Sequence, residues 1–463
     1  MVEQRTENPR VGGSIPSPAS FLTLHALFVG MLLQRCGSMS TSSQSAASHV
    51  KRLSSGLPAE EVLERLKPCF DPLPARVPGA SLASEEAVRR RWGLLSDSKE
   101  PNPILWHGQD LSVFSANIEN VIGAISVPVA IAGPLRVNGC SAHGDYYVPL
   151  ATTEAALVAS YTRGCQLLSE SGGCSTLILG EGVSRAPGFV FSNLREVGAF
   201  VSWILTRKEI FQQKAEATTN HGKLIDMRLT VEGNHIYVTF EFFTGDAAGQ
   251  NMVTIATQAI CDDIQENSPV RPKHIFVEAN LSGDKKASAQ SFQTVRGRKV
   301  AAECLIPPAA LTKRLHTEAA VLEEYWRMSA LGGVLSGTIG VQGHYANGLA
   351  ALFLATGQDV ACVSEAAVGV TRFEAKPDGS LYASVTLPNL IMGTVGGGTG
   401  LPSQVACLEI LGLKGTGQAR ALTEVAAALA LAGELSIIGA MAAGHFTRAH
   451  EKLARHPASH GIR

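Results

Sequence analysis

Several ionisable side chains are of the types on which general acid–base catalysis draws, and they are spread widely along the chain. They are the carboxylates of Glu154 and Asp359, the imidazole of His450, and a lysine at position 285 or 286. Because long stretches of chain separate them, their spacing alone does not show that they meet in the folded protein. The elements that carry them must bring them together.

Each of these side chains also has an ordinary structural interpretation. The segment "SGDKKASA", residues 282–289, is typical of a solvated turn, and Glu154 suits the first turn of a helix capped by the two threonines before it. His445 and His450 are five residues apart, which is about 140° around a helix, so they do not comfortably face one metal ion. We therefore predict no metal site.

Two glycine-containing segments are suited to close contact with a ligand. "LPNLIMGTVGGGTGLPSQ" carries a glycine cluster from Gly393 to Gly400 that could cradle a phosphate or a nicotinamide ribose. No Lys-Ser or Lys-Thr follows it and G-x-G-x-x-G is absent from the sequence, so neither a P-loop nor an ordinary Rossmann fingerprint is predicted. "TGDAAGQNM" offers Asp246, Gly249 and Asn251, although a plain turn before a helix has the same composition.

The composition is that of a globular protein with two or three domains. The 463 residues include 45% hydrophobic and 17% charged side chains, and the formal net charge is −1. Without an excess of basic residues, the chain is not expected to bind nucleic acid. Nine dispersed cysteines without a Cys-x-x-Cys pair favour a reduced, intracellular protein over a zinc ribbon.

Residues 1–55 have the composition of a targeting leader. No Asp or Glu lies between Glu7 and Glu60, while basic residues and serines are spread through this stretch. It resembles a mitochondrial transit peptide, with a secretory signal or a disordered tail as the alternatives. Its apolar run at 21–33 is too short to span a bilayer comfortably, and we predict no membrane span. The expected location is the mitochondrial matrix, with the cytosol as the alternative.

The periodicity of the remaining chain predicts helices and one clear hairpin. Residues 56–110 contain a helical segment, and 187–277 form a small α+β domain in which "IDMRLTV" and "HIYVTFEFF" pair as an antiparallel hairpin. The apolar faces of the two strands are Ile225, Met227, Leu229 and Val231, and Ile236, Val238, Phe240 and Phe242. From residue 278 the pattern predicts mostly helices, ending with one from about Ala419 to Ala454 that we interpret as buried.

Seven segments resemble the catalytic domain of the 3-hydroxy-3-methylglutaryl-coenzyme A (HMG-CoA) reductase family, in the family's order, over about residues 111–456. They are "ENVIGAISVPVAIAGPL", "PLATTEAALVAS", "GDAAGQNM", "GDKKASA", "GHYANGLAALFLATGQD", "GTVGGGTGLPSQVACL" and "AGELSIIGAMAAGH". The Asp-Lys-Lys element is similar to that of the class I form. Animal members of that class carry a polytopic membrane anchor, whereas this chain resembles a soluble form.

The resemblance implies NADPH-dependent, four-electron reduction of HMG-CoA to mevalonate and free coenzyme A, a step of isoprenoid and sterol biosynthesis. It implies an α+β fold with a large, mostly helical substrate-binding domain at 111–186 and 278–463. A small ferredoxin-like dinucleotide-binding domain at 187–277 is inserted into it. A homodimer with active sites shared between subunits, or a tetramer built from two such dimers, is also implied.

The resemblance assigns a role to each catalytic candidate. A protonated, buried Lys285 stabilises the oxyanion that the first hydride creates, and His450 protonates the leaving thiolate. Glu154 then donates a proton to the aldehyde oxygen as the second hydride arrives, which requires a neutral carboxyl buried beside an ionised Asp359. Lys286 stands next to the catalytic lysine in a secondary role.

Ligand contacts carry over from the family in the same way. Arg185 matches a residue that pairs with the free carboxylate of the substrate, Asn347 one near the reacting oxygen, and Arg163 one on the coenzyme A side. The matches on the dinucleotide side are Asp246, Gly249, Asn251, Val395, Gly396 and His221.

The chain departs from the family pattern at two places that bear on its ligands. Asn220 and His221 stand where animal members have an Arg-Phe pair that meets the 2′-phosphate of NADPH, so NADH is also considered as the cofactor. Glu278 stands where those members have a serine near the substrate. Two alternatives to HMG-CoA reduction are another nicotinamide-dependent dehydrogenase and a coenzyme A-binding homologue that has lost activity.

Overall fold

The computed structural model describes residues 83–95, 102–105 and 110–444, together with a few single positions before residue 79. The predicted leader at 1–55 and His450 lie outside the described residues, and the helical segment at 56–110 is described in part. The chain divides into compact units at 1–76 and 77–463, and the elements below belong to the second unit.

The described part of the chain contains eleven α-helices and ten strands in a mixed order. The helices are α1 (Glu85–Leu95), α2 (Leu157–Glu170), α3 (Leu194–Ile204), α4 (Lys208–Glu216), α5 (Gln250–Asn267), α6 (Pro308–Leu315), α7 (Ala319–Ser336), α8 (Tyr345–Thr356), α9 (Val363–Ala366), α10 (Pro402–Leu411) and α11 (Ala419–Ala442). The strands are β1 (Val129–Gly139), β2 (His143–Ala151), β3 (Cys174–Arg185), β4 (Gly188–Val190), β5 (Lys223–Glu232), β6 (His235–Phe243), β7 (His274–Phe276), β8 (Gly297–Ile306), β9 (Val370–Ala375) and β10 (Leu381–Leu390).

Strand β3 joins two parts of one sheet. Residues 175–182 of this strand pair antiparallel with β8, while residues 183–185 pair with β6. The strand order is β7-β4-β6-β3-β8-β10-β9, with β1 pairing with both β2 and β3, and β5 beside β6. Strand β3 therefore ties the 187–277 segment to the rest of the sheet.

The 187–277 segment has the α+β content predicted for it. Its elements follow in the order β4, α3, α4, β5, β6, α5, β7, and its strands lie in the order β7-β4-β6-β5 with antiparallel neighbours. The β5–β6 hairpin is confirmed, and β6 buries its predicted face: Ile236, Val238, Phe240 and Phe242. The prediction is wrong for Ile225 and Val231, which are exposed, because β5 is an edge strand whose register shifts between Leu224 and Asp226.

After residue 278 helices predominate over strands as predicted, but the pattern missed strands β8, β9 and β10. The β8 sequence "GRKVAAECLI" is rich in small residues and carries several charges, so its strand character is weak in local propensity. Its pairing with β3 on one side and β10 on the other decides the conformation. Long-range pairing has overridden the local pattern.

Helix α11 lies in the core and is buried along almost its whole length. It packs so closely on α2 that a Cβ at Gly164 would lie 1.9 Å from the carbonyl oxygen of Ala432. Among the described residues, α11 alone is long and apolar enough to cross a membrane, and 83% of its most apolar window is buried inside the protein. The predicted burial is confirmed; α11 ends at Ala442, and the predicted continuation over 445–454 lies outside the described residues.

Glu154 does not lie in the first turn of a helix as predicted. Helix α2 begins at Leu157, after Ala156 adopts a left-handed conformation with φ of 68°. The hydroxyl of Thr152 accepts a hydrogen bond from the Glu154 N–H at 3.0 Å, which makes a turn ahead of the helix. This turn holds Glu154 on an exposed loop between β2 and α2.

Candidate active site

Lys285 and Asp359 form an ion pair. Lys285 Nζ lies 2.8 Å from Asp359 Oδ2, and the two side chains are 40% and 43% exposed. The hydrogen bond to Asp359 raises the pKa of Lys285, so the lysine carries its proton at neutral pH. The expectation of a buried lysine is not met in the single chain, because no described segment covers the pair.

A cleft of about 490 Å³ contains this ion pair and most of the residues predicted to contact the dinucleotide. Gly249 and Asn251 line it from the start of α5, and Val395 and Gly396 line it from the glycine loop at 393–400. Lys285 and Asp359 line the same cleft. The fold therefore brings together segments that are far apart in the sequence.

The glycine loop is packed main chain to main chain against the segment that carries Asp359. A Cβ at Gly357 would lie 2.3 Å from the carbonyl oxygen of Gly398, so only glycine fits there. Gln358, which the sequence analysis did not single out, donates to the carbonyl oxygen of Gly393 and accepts from its N–H, both at 2.8 Å. This reciprocal pair sets the distance between the loop and Asp359.

Asp246, predicted to contact the dinucleotide, contacts the protein main chain. Its carboxylate accepts hydrogen bonds from the N–H groups of Gly417 at 2.8 Å and Ala419 at 3.2 Å, at the start of α11. Its carbonyl oxygen accepts from Thr394 N–H at 2.9 Å. Asp246 thus anchors the glycine loop and the N-terminus of α11 to one another.

Glu154 is held by Asn347. The Asn347 amide donates to both carboxylate oxygens of Glu154, at 3.1 and 2.8 Å. Glu154 is exposed, so the expected burial beside Asp359 is not found within one chain. We call Glu154 and Asn347 the glutamate half-site, and Lys285 and Asp359 the lysine half-site.

The start of α8, which carries Asn347, is fixed by a fully buried carboxylate from α11. Glu434 accepts hydrogen bonds from the N–H groups of Gly343 and His344 and from the hydroxyl of Thr371, at 2.6 to 3.0 Å. Burial raises the pKa of Glu434 and lowers the pKa of His344. Tyr161 stacks on the His344 ring with centroids 5.4 Å apart.

Helix α8 separates the two half-sites. Asn347 lies in its first turn, and Asp359 follows its last residue, Thr356. At about 1.5 Å per residue, the helix between positions 347 and 356 spans about 14 Å. Within one chain, therefore, Glu154 and the Lys285–Asp359 pair lie towards opposite ends of this helix.

The predicted substrate-binding arginines are both committed to internal contacts. Arg163 donates to the hydroxyl of Ser436 at 3.0 Å and to its carbonyl oxygen at 2.7 Å, and burial lowers its pKa. Arg185, with a side chain only 7% exposed, donates to Glu278 at 3.3 Å and to Asp284 at 3.0 Å. Glu278, for which the sequence offered no account, is thus a partner of the predicted carboxylate-binding arginine.

Lys286 and His221 are exposed and lie outside the lining of the cleft. Lys286 Nζ donates to the carbonyl oxygen of Asp284 at 2.9 Å. The main-chain N–H of His221 donates to Thr219 Oγ1 at 3.2 Å, in the loop before β5. The described part of the chain therefore leaves both side chains at the surface.

The sequence matches the protein-family model described as "Hydroxymethylglutaryl-coenzyme A reductase" over residues 86–455. The 3-hydroxy-3-methylglutaryl-coenzyme A reductases of Pyrococcus horikoshii and Haloferax volcanii are 44% and 43% identical to it. These alignments cover 73% of this chain in both cases, and 84% and 85% of the respective relatives. The chain belongs to the HMG-CoA reductase family. The match begins earlier than the predicted residue 111 and ends close to the predicted residue 456.

Two solved structures of HMG-CoA reductase from Streptococcus pneumoniae share the fold. One has a TM-score of 0.59 at 19% identity, and the match covers 84% of this chain and 99% of that one. The other, described as the class II enzyme bound to NADPH, has a TM-score of 0.58 at 19% identity, and the match covers 76% of this chain and 80% of that one. At such low identity the likeness shows the α+β fold alone.

Proposed function

We propose that this chain reduces HMG-CoA to mevalonate and free coenzyme A, with two molecules of NADPH supplying the hydrides. The cleft carries this proposal, because it sets the Lys285–Asp359 ion pair beside the glycine loop at 393–400. A fixed ammonium next to a hydride donor suits a reaction that develops negative charge on a carbonyl oxygen. Family membership and the names of relatives above 40% identity support the same substrate.

The protons and electrons of this reaction can be assigned to groups of the chain. The first hydride adds to the thioester carbon, and the ammonium of Lys285 stabilises the resulting oxyanion. Collapse of the hemithioacetal breaks the C–S bond, and His450, outside the described residues, protonates the departing thiolate. The second hydride reduces the aldehyde while Glu154 donates the proton that completes the alcohol.

We further propose that each active site combines the lysine half-site of one subunit with the glutamate half-site of its partner. The length of α8 supports this, because about 14 Å of helix lies between Asn347 and Thr356, the residue three before Asp359. A transferable proton needs hydrogen-bond distance to its acceptor, which one chain alone does not offer. The partner subunit also covers the lysine half-site and excludes water from it, which oxyanion stabilisation requires.

An exposed apolar face on α7 supports such a homodimer. Its members are Met328 (67% exposed), Leu331 (67%), Val334 (77%) and Leu335 (88%). They fall on the C-terminal half of the helix, and Met328, Leu331 and Leu335 repeat at helical spacing on one side. Contiguous apolar surface of this kind marks a protein–protein contact more often than a free surface. A second copy of the chain is the proposed partner, and a tetramer built from two such dimers is compatible with it.

We propose that 187–277 is a ferredoxin-like dinucleotide-binding domain. The strand order β7-β4-β6-β5, with α3–α4 and α5 as the connecting helices, supports this assignment. The first turn of α5 lines the cleft, where its free N–H groups favour a phosphate. The NADPH bound to a solved family member supports NADPH, with NADH as the second candidate because of Asn220.

The proposal is tested by following NADPH and free thiol together in the purified protein. We expect two NADPH oxidised per thiol released, dependent on HMG-CoA, and loss of both signals in Lys285→Met, which keeps the apolar stem but removes the ammonium. NADPH oxidation without thiol release would instead indicate another dehydrogenase. Binding of HMG-CoA without turnover would indicate a coenzyme A-binding homologue that has lost activity.

A further inference from the structure

We propose that Glu365 is a positioning residue that holds Lys285 in its reactive conformation through the main-chain N–H of the lysine. This rests on the proposed function for the role of Lys285, but the contacts that carry it are independent of the substrate. Glu365 belongs to α9, and its side chain is fully buried. No motif in the sequence pointed to it.

The main chain at Lys285 adopts a conformation that a lysine does not favour. Its φ is 57°, in the left-handed region, where an L side chain crowds the following carbonyl oxygen. The Lys285 N–H donates to Glu365 Oε1 at 3.2 Å. A hydrogen bond to a charged acceptor inside the protein is strong enough to offset such a conformational cost.

A second buried side chain, the guanidinium of Arg296, holds Glu365 in place. Arg296 Nε lies 2.7 Å from Glu365 Oε2, as an ion pair without hydrogen-bond geometry. Burial raises the pKa of Glu365, and the Arg296 guanidinium opposes that shift. Arg296 is itself fixed, because its Nη1 donates to the carbonyl oxygen of Ser184 at 2.7 Å and its main-chain N–H donates to Asn389 Oδ1 at 2.9 Å.

The same arginine also anchors the residue before the lysine. Arg296 Nη2 lies 2.5 Å from Asp284 Oδ1, and Arg185 holds the other oxygen of Asp284 at 3.0 Å. Positions 284 and 285 are therefore tied to a buried ion pair at two successive points. The flexible lysine side chain then starts from a fixed Cα and reaches Asp359 at 2.8 Å.

Removing the acceptor on Glu365 should release this arrangement. Without it, the main chain at 285 can return to the right-handed or extended region, which redirects the Cα–Cβ bond of the lysine. The ammonium then leaves Asp359 for part of the time. The chemical step should suffer, while binding of the dinucleotide should change little.

The first test uses Glu365→Met, with Glu424→Met as the matched control. Glu424 is also a buried glutamate that accepts main-chain N–H groups, from Ser141 and Ala142. We expect Glu365→Met to lower kcat about 10- to 100-fold with the KM for NADPH little changed. We also expect the alkaline limb of the kcat–pH profile to move to lower pH, because Asp359 then no longer raises the pKa of Lys285. Glu424→Met should lower the free energy of unfolding but leave kcat and the alkaline limb of the kcat–pH profile unchanged. Equal losses of kcat in the two variants would overturn the proposal.

The second test measures stability and needs no substrate. Lys285→Gly and Lys285→Ala are compared by urea unfolding in the wild-type and Glu365→Met backgrounds. Glycine tolerates positive φ, so Lys285→Gly should be the more stable in the wild-type background. With Glu365 replaced, the order should reverse, because alanine loses less chain entropy once φ is free.

If Lys285→Gly is more stable than Lys285→Ala in both backgrounds, the proposal is overturned. Should Glu365→Met fail to fold with Arg296 unpaired, the double variant Arg296→Met, Glu365→Met removes both charges together and serves as the second background. A wild-type chain without HMG-CoA reduction would refute the proposed function, and this stability comparison would still decide the role of Glu365.

Discussion

Complementation between two inactive variants tests whether the half-sites of different subunits form one active site. Glu154→Gln disables the glutamate half-site and Lys285→Met the lysine half-site. Loss of the oxyanion-stabilising ammonium should lower kcat about 100- to 1000-fold, so each pure variant is nearly inactive. If α8 keeps the half-sites of one chain about 14 Å apart, each site must draw one half from each subunit.

The expected recovery follows from two-fold symmetry. A mixed dimer has one site with both substitutions and one site with neither. Random pairing of equal amounts makes about half of the dimers mixed, so the mixture should regain about a quarter of the wild-type activity. The assay unfolds and refolds the variants together, confirms mixed dimers by two affinity tags, and measures thiol release. Mixed dimers without recovered activity would refute the shared site, because they would show that both half-sites act within one chain.

Three further predictions concern charges around the cleft. Asp359→Asn should lower the raised pKa of Lys285, so the alkaline limb of the kcat–pH profile should move to lower pH, and an unmoved limb would contradict the ion pair as its cause. Glu278→Gln removes a carboxylate that is paired with Arg185, so we expect the KM for HMG-CoA to fall about 10-fold while the KM for NADPH stays unchanged. A rise in the KM for HMG-CoA would show instead that Glu278 helps to bind this substrate. Asn220→Arg should improve kcat/KM for NADPH over NADH about 10-fold if a 2′-phosphate lies nearby, and equal effects on the two cofactors would exclude that.

The pH dependence of the Lys285–Asp359 pair has a definite sign. The pKa of Lys285 is raised in the folded protein, so the pair favours the folded state below the ordinary lysine pKa. That contribution is lost as the pH rises through the raised value. Because both side chains are about two-fifths exposed, solvent screens the pair and its share of the stability is small.

Local sequence patterns predicted the elements whose periodicity is set by burial on one side. The β6 face and the burial of α11 are of this kind, because alternation and a continuous apolar run are visible in short windows. Strand β8 could not be predicted in this way, since its conformation depends on pairing with β3 and β10. The left-handed conformation of Ala156 was also not predicted from the sequence pattern. Because of it, α2 starts three residues after Glu154.

The candidate site was predicted in its residue types and only in part in its geometry. Resemblance to the family named Lys285 and Asp359, and the structure brings them to 2.8 Å. It implied active sites shared between subunits, but it did not say which residues stand apart within one chain. The positions of Asn347 and Asp359, on and just beyond one helix, carry the signal that Glu154 does. Gln358 and Glu365 escaped notice because each acts on main-chain groups of a segment far away in the sequence.

Helix α8 explains how two separated half-sites can still form a precise active site. Its start is fixed by Glu434 and its end by the Gln358–Gly393 pair, and most of its residues are buried. A buried helix with both ends anchored is a rigid spacer, because bending it would break packing as well as hydrogen bonds. The position of one half-site in a chain therefore determines that of the other. In a two-fold symmetric dimer, a single contact that brings one lysine half-site to the partner's glutamate half-site must do the same for the second pair.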